Sequence, residues 1–429
     1  MSLLASEPTP AQKKVLDRVL WRVMPLVTLC MAICTIDRAN VGFAKLSMTT
    51  DLGMSEAVFA LGSSLFYIGY VAFEIPSALG AHRFGARLWF ARIMFTWGLA
   101  TLALAFTSST VMFYVLRFLL GVAEAGLYPG VLYYITLWFP KSYHAKAMGL
   151  LTVGSAAGNG LGALISGPLL DLNGVLGFAG WQWVFLVTGA MPMFGVIVIL
   201  RYMRDSISQA RFLTEAEKID VQQMIEPGGG KAHGFGGILK TIGNPLVLVH
   251  GVIFTTLLTA LLGVVYWSPS VVKTFGVTGA QNGMLIALPW AIDAVLLWLI
   301  PKWLRGKNDL PALIAVMVVG SAAFAASVFV EDHFFRYSMM LIGIPCISVA
   351  IALYWVFPAR MFSGAQAAAA LATISTVGNM GGFFGQNLMP ALAKAGGSAS
   401  AALLAPCVCL GVLAVGAVIV MVAGKKQAA

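Results

Sequence analysis

Apolar residues in this chain gather into twelve long runs separated by short polar connections. The runs cover 21–43, 57–79, 88–107, 110–131, 145–170, 181–202, 244–268, 281–303, 309–330, 335–357, 366–393 and 400–423. Each suits a helix of about 20 residues, the length that crosses the hydrocarbon core of a bilayer. Inside hydrocarbon, backbone polar groups must be satisfied within a helix or a closed barrel. Runs this long and this uniformly apolar suit helices rather than barrel strands. The pattern predicts an all-α membrane protein with twelve transmembrane helices.

The polar connections orient the chain. With the N-terminus inside, 21 Lys and Arg residues fall on the cytoplasmic side, from Lys13, Lys14 and Arg18 to Lys425 and Lys426. The other side holds 4, namely Lys45, Lys273, Arg336 and Lys394, whereas Arg38 and Arg117 lie within spans. This bias predicts cytoplasmic N- and C-termini in a multi-pass protein of the cell inner (plasma) membrane. The first apolar run is too long for a signal-peptide core and lacks a small-residue cleavage site, so it reads as a retained helix. One long polar segment, 204–243, carries a short helical signal at Leu213–Lys218 and the flexible Pro227-Gly-Gly-Gly230. The expected organisation is a cytoplasmic segment 1–20, a six-helix bundle 21–203, a cytoplasmic linker 204–243, a second bundle 244–423 and a tail 424–429.

Composition narrows the function classes. Hydrophobic residues make up 59% and charged residues 10%, against about 25% charged in soluble domains. The net charge of +10 sits in loops between apolar runs, with no run of aromatic and basic residues that would make a nucleic-acid platform. The five cysteines (Cys30, Cys34, Cys346, Cys407 and Cys409) lie in apolar runs without CxxC spacing, and read as small buried hydrophobes. The histidines (His82, His144, His233, His250 and His333) lie in or near loops and helix ends, without metal-ligand spacing. No nucleotide loop or nucleophile–base order suggests an enzyme. No cofactor is expected.

The two halves echo one another. Ser155-Ala-Ala-Gly158-Asn159-Gly-Leu-Gly162 resembles Ser375-Thr-Val-Gly378-Asn379-Met-Gly-Gly382, and upstream Trp138-Phe139-Pro140 resembles Trp355-Val-Phe357-Pro358. Two pseudo-symmetric six-helix bundles would place a binding site at the midplane between them. Chance likeness between Gly-rich membrane helices is the alternative.

Ionisable residues inside the spans mark the candidate chemistry. Asp37 and Arg38 interrupt the first run, and on insertion scales each charge costs roughly 2.5–3.5 kcal/mol at a helix centre. Such residues mark ion or substrate pathways by default. Being adjacent, they project about 100° apart, so each needs a partner elsewhere. Arg117 and Glu124 are seven apart, nearly two helical turns, and share one face. Arg117 is placed to hold an anion and Glu124 to take up and release a proton. A purely structural charge pair, or an Asp37 confined to helix packing, are the alternatives.

Several segments in order resemble the anion:cation symporter family of the major facilitator superfamily. They are Ile36-Asp37-Arg38-Ala39-Asn40-Val41-Gly42, Glu74-Ile-Pro-Ser77, Arg83-Phe-Gly-Ala-Arg87, Arg92-Ile-Met-Phe-Thr-Trp97, Arg117-Phe-Leu-Leu-Gly-Val-Ala-Glu124, Trp138-Phe139-Pro140, Tyr266-Trp267-Ser-Pro269 and Gly378-Asn379-Met-Gly-Gly382. The resemblance implies a proton-driven importer of small organic anions, similar to galactonate, hexuronate, tartrate and phthalate carriers. It implies proton coupling at Asp37 and Glu124, an anion site at Arg117 and a cavity tyrosine at Tyr70; Arg38 is a further candidate contact for the anion. Ser155, Asn159, Trp355, Ser375 and Asn379 carry over by motif register alone, with close helix packing as their alternative. The partners implied are the anion, protons and the bilayer, with one chain able to act alone. An acidic residue usual before the basic cluster after span 2 is absent, with His82 near its place. Asp293, mid-span in helix 8, is a further oddity: a third protonatable site, a substrate-tuning group or a solvated acid. The rival reading is a proton-coupled exporter of a drug or other small molecule, against which basic residues in the cavity argue when the substrate is a cation.

Overall fold

The computed structural model describes residues 8–225, 243–304, 309–362 and 364–428. Expectations that fall on 226–242, among them the glycine stretch after Pro227, and on the loop residues 305–308 lie outside the described residues. Among the described residues fifteen α-helices run in chain order: α1 (Pro10–Asp51), α2 (Glu56–Phe84), α3 (Ala86–Leu104), α4 (Thr110–Glu124), α5 (Leu127–Trp138), α6 (Lys141–Leu170), α7 (Gly180–Tyr202), α8 (Glu215–Met224), α9 (Pro245–Lys273), α10 (Gly279–Leu304), α11 (Asp309–Phe329), α12 (His333–Tyr354), α13 (Val356–Met361), α14 (Gly364–Ala395) and α15 (Leu404–Ala428). Among the described residues, ten spans are long and apolar enough to cross a membrane, with α4–α5 and α12–α13 each counted as one. Two helices, α3 and α14, complete the twelve-helix bundle.

Several boundaries differ from those read in the sequence. The first helix begins at Pro10, inside the segment expected to precede the bundle, because Thr9 and Gln12 form a capping box and Pro10 opens the helix. Hydropathy marks the membrane-embedded part of a helix and is blind to polar turns that extend beyond it. The expected single span 110–131 is two helices, α4 and α5, parted at Gly126, whose φ of 86° is open to glycine but disfavoured for other residues. Span 10 is likewise interrupted at Trp355, between α12 and α13. The two Trp-Pro echoes are not equivalent in space: Pro140 caps the N-terminus of α6, whereas Pro358 lies within α13.

Small residues set the packing. Gly154, Gly158 and Gly162 recur every fourth position on α6 and lie against Thr28, Ala32, Thr35 and Ile36 of α1. Gly378, Gly381 and Gly385 of α14 lie in the same way against Phe254, Thr255 and Thr259 of α9. Without a hydrophobic driving force between helices in lipid, this close backbone approach is what dispersion needs. Across the two halves, α6 packs on α10, α2 on α14 and α1 on α9.

The short helical signal in the linker is α8. Thr214 and Glu217 close a capping box, Arg18 of α1 reaches Glu217 at 2.9 Å, and Gln12 donates to Asp220. The Thr214 backbone N–H, followed by Arg18, holds the Glu217 carboxyl below its ordinary range. A carboxyl depressed in the folded state contributes while ionised and loses that contribution as pH falls through its folded value. Acidification to about pH 4, or Glu217→Gln at neutral pH, should therefore loosen α8 from α1 modestly. Faster proteolysis of the linker would report it; identical cleavage of the variant would contradict it.

Candidate functional site

The site grows from α1, α2 and α4. Adjacent positions on α1 send Asp37 and Arg38 in different directions, as the 100° step requires. Arg38 reaches α4. Its Nε and Nη2 both approach Glu124 Oε1 at 2.6 Å. Cys34 Sγ, one turn before Arg38, donates to the same oxygen at 3.1 Å. Glu124 is fully buried, its Oε2 has no hydrogen-bond partner among the described residues, and the Arg38 side chain is 19% exposed. Arg38 also lies over the Tyr70 ring at 4.8 Å and the Phe66 ring at 5.4 Å. One carboxylate oxygen therefore carries a guanidinium and a thiol, while the other is left buried and free.

Asp37 turns into the first half instead. It accepts from Thr101 of α3 at 3.0 and 3.2 Å and from Asn40 at 3.0 Å, and Asn40 also donates to Thr188 of α7. Asp37 is buried and is joined to Arg38 and Glu124 by no hydrogen bond among the described residues. Arg117 shares the α4 face with Glu124 but points one helix over. Its Nη2 and Nε donate to the Ser63 carbonyl of α2 at 2.9 and 3.3 Å, and its guanidinium stacks on Phe66. Arg117 makes no ion pair among the described residues. Phe66 thus separates and supports two guanidinium groups, Arg38 and Arg117, one held by a carboxylate and one by a backbone carbonyl.

The residues carried over by motif register are spread around this group. Ser155 and Asn159 on α6 and Ser375 and Asn379 on α14 are all partly exposed. Trp355 sits at the break in span 10 with its ring edge-on to Phe254 at 4.8 Å. No hydrogen bond among the described residues joins Ser155, Asn159, Trp355 or Ser375 to Arg38 or Glu124. Asn379 lies in the electrostatic neighbourhood of Glu74 of α2, together with Thr376 and Arg38. Glu74 opens the Glu74-Ile-Pro-Ser77 segment, to which the resemblance attaches no role. Its signal was available: an acid within a span, four residues after Tyr70 and so on the same helix face. Asp293 on α10 is fully buried, and neither of its carboxylate oxygens has a hydrogen-bond partner among the described residues.

Polar contacts between the halves cluster at the face opposite the termini. Lys45 of α1, ion-paired to Glu56 at 2.9 Å, lies 3.4 Å from the Trp267 ring centroid of α9. Asp171, at the end of α6, accepts the Gly279 and Ala280 backbone N–H groups that open α10, at 2.9 and 2.8 Å. Asn387 of α14 donates to Ser64 of α2 at 2.8 Å. Among the described residues no such contact closes the face that carries the termini.

Residues 27–386 match the Major Facilitator Superfamily. The chain belongs to this superfamily. It is 34% identical over 389 residues to a protein of Agrobacterium vitis named as a tartrate transporter, covering 88% of this chain and 85% of that one. It is 32% identical to a quinolone resistance transporter of Acinetobacter baumannii, with 87% of each covered. Among solved structures, the partially occluded inward-open xylose transporter XylE from E. coli superposes with a TM-score of 0.71 at 14% identity, covering 92% of this chain and 96% of that one. This superfamily member is a transporter rather than an enzyme, a multi-pass membrane protein built on the twelve-helix fold.

Proposed function

We propose that this transporter is a symporter that imports a small organic anion together with protons, a carboxylate such as a sugar acid, a dicarboxylate or an aromatic acid. The observation that carries the reading is the buried Arg38–Glu124 pair beside Arg117. With Glu124 ionised, Arg38 is engaged. A proton on Glu124 removes its charge and frees the Arg38 guanidinium for a substrate carboxylate, which guanidinium groups hold through paired, charge-assisted hydrogen bonds. Proton and anion then enter together, because each lowers the cost of burying the other. Asp37 is a second candidate proton site, bonded to α3 and within the first half rather than to the Arg38–Glu124 pair.

Transport proceeds by rocking of the two halves around the site. Closure at the Lys45, Asp171 and Asn387 contacts, with cytoplasmic termini, corresponds to an inward-facing state. One chain supplies the whole path, so a monomer suffices. The test is a thermal-shift screen of purified protein against small carboxylates, followed by uptake of each hit into proteoliposomes with and without a pH gradient. Stabilisation by carboxylates and uptake that follows the gradient are expected; a protein stabilised only by cations would overturn the reading.

Arg117→Ala should abolish carboxylate-induced stabilisation, and Arg117→Lys should keep the charge but lose most of the effect, because an ammonium cannot reproduce the planar fork. Stabilisation undiminished in the alanine variant would remove Arg117 from the anion site. The likeness to a quinolone resistance transporter supports a second reading, proton-coupled export of a drug. Efflux of a fluoroquinolone from loaded vesicles, driven by an opposed pH gradient, would favour it.

A further inference from the structure

Glu74 stands on α2, which packs against α14 of the other half, with a carboxylate that the described residues do not fully use. It is 4% exposed, and its Oε2 has no hydrogen-bond partner among the described residues. The groups around it come from both sides of the seam: Thr376 and Asn379 from α14, and Arg38, Tyr70 and Tyr128 from the first half. Arg38 is committed to Glu124 at 2.6 Å, and Glu74 makes no ion pair among the described residues. Glu74 lies one turn beyond Tyr70, about 5–6 Å along the helix face. Tyr70 is in turn the ring beneath Arg38. A ligand only a few carbon atoms long, with one end on Arg38, therefore extends towards Glu74.

A buried acid at that position discriminates by charge and by hydrogen bonding. A second carboxylate on the ligand is repelled, and a bare methylene leaves the free oxygen unsatisfied. A hydroxyl or N–H donor on the ligand satisfies it with a charge-assisted bond. Sites built to bond a ligand hydroxyl reject the analogue that lacks it far more strongly than apolar pockets reject an extra methylene. We propose that Glu74 is a specificity-determining residue that accepts a hydrogen bond from a donor group on the transported anion, so that the preferred substrates are hydroxy acids over plain carboxylic acids of the same length. The proposal rests on the organic-anion reading above.

A probe pair of monocarboxylates differing only in hydroxyl groups tests it: threonate and butyrate, titrated by calorimetry against the wild type, Glu74→Met and Glu74→Gln. The wild type should prefer threonate by about tenfold or more. In Glu74→Met the ratio should fall towards one, through weaker threonate and undiminished butyrate binding, and Glu74→Gln should lie between. The ratio is internal to each variant, so a general loss of stability does not move it. If Glu74→Met does not fold, Glu74→Gln carries the comparison. An unchanged ratio in the folded variants, or a wild type indifferent to the hydroxyls, overturns the role of Glu74. If neither probe binds while other carboxylates do, the role of Glu74 falls and the anion reading stands. If no carboxylate binds, both fall.

Discussion

Glu124→Gln is expected to abolish uphill accumulation of substrate while leaving exchange of substrate for substrate measurable. Glutamine keeps an oxygen for the Arg38 guanidinium and the Cys34 thiol, so the arrangement at 2.6 and 3.1 Å is preserved in outline. What it loses is the change of charge. One pH unit across the membrane is worth about 1.36 kcal/mol per proton, or roughly tenfold accumulation for one coupled proton. The variant should reach an inside-to-outside ratio near one under the same gradient, with counterflow retained in vesicles preloaded with the anion. Gradient-driven accumulation at the wild-type level would remove Glu124 from the coupling mechanism.

Arg38→Ala should be the most damaging single change to the stability of the site. It strands the fully buried Glu124 carboxylate, and breaking a buried pair by removing one partner costs about 3–5 kcal/mol. The same change should remove carboxylate binding. The Arg38→Ala/Glu124→Gln double variant should recover most of the lost melting temperature, because it no longer buries an unpaired charge, while binding stays absent. A double variant as unstable as the single one would mean that Arg38 acts through its stacking on Tyr70 and Phe66 rather than through charge.

These two experiments separate roles that the residue list alone merges. Asp37 and Glu124 were expected together as proton sites, yet they occupy different surroundings. Glu124 has one free oxygen beside a partly exposed guanidinium, whereas Asp37 is bonded to Thr101 and Asn40 within the first half. Arg117 and Glu124 do share a helix face, as their spacing requires, but the face is wide enough for each to take a different partner. Spacing fixes the direction in which a side chain leaves its helix; it is silent on the helix it meets.

The sequence by itself determined the membrane class, the twelve-span layout and the presence of buried charges, because hydrophobic run length and the placement of Lys and Arg are local, one-dimensional properties. It also marked α8 through the short helical signal at Leu213–Lys218. Tertiary structure alone decided that Arg38 rather than Arg117 holds Glu124, that Asp37 belongs to α3 and α7, and that Glu74 lies near Asn379 across the seam. Those pairings join residues from 64 to about 300 positions apart, and they depend on the glycine-mediated closeness of helices and on which faces the two halves turn to one another. The break at Gly126 lies between the two cases: the glycine is visible in the chain, but its positive φ becomes necessary only where α4 ends and α5 must turn against Ser77 of α2.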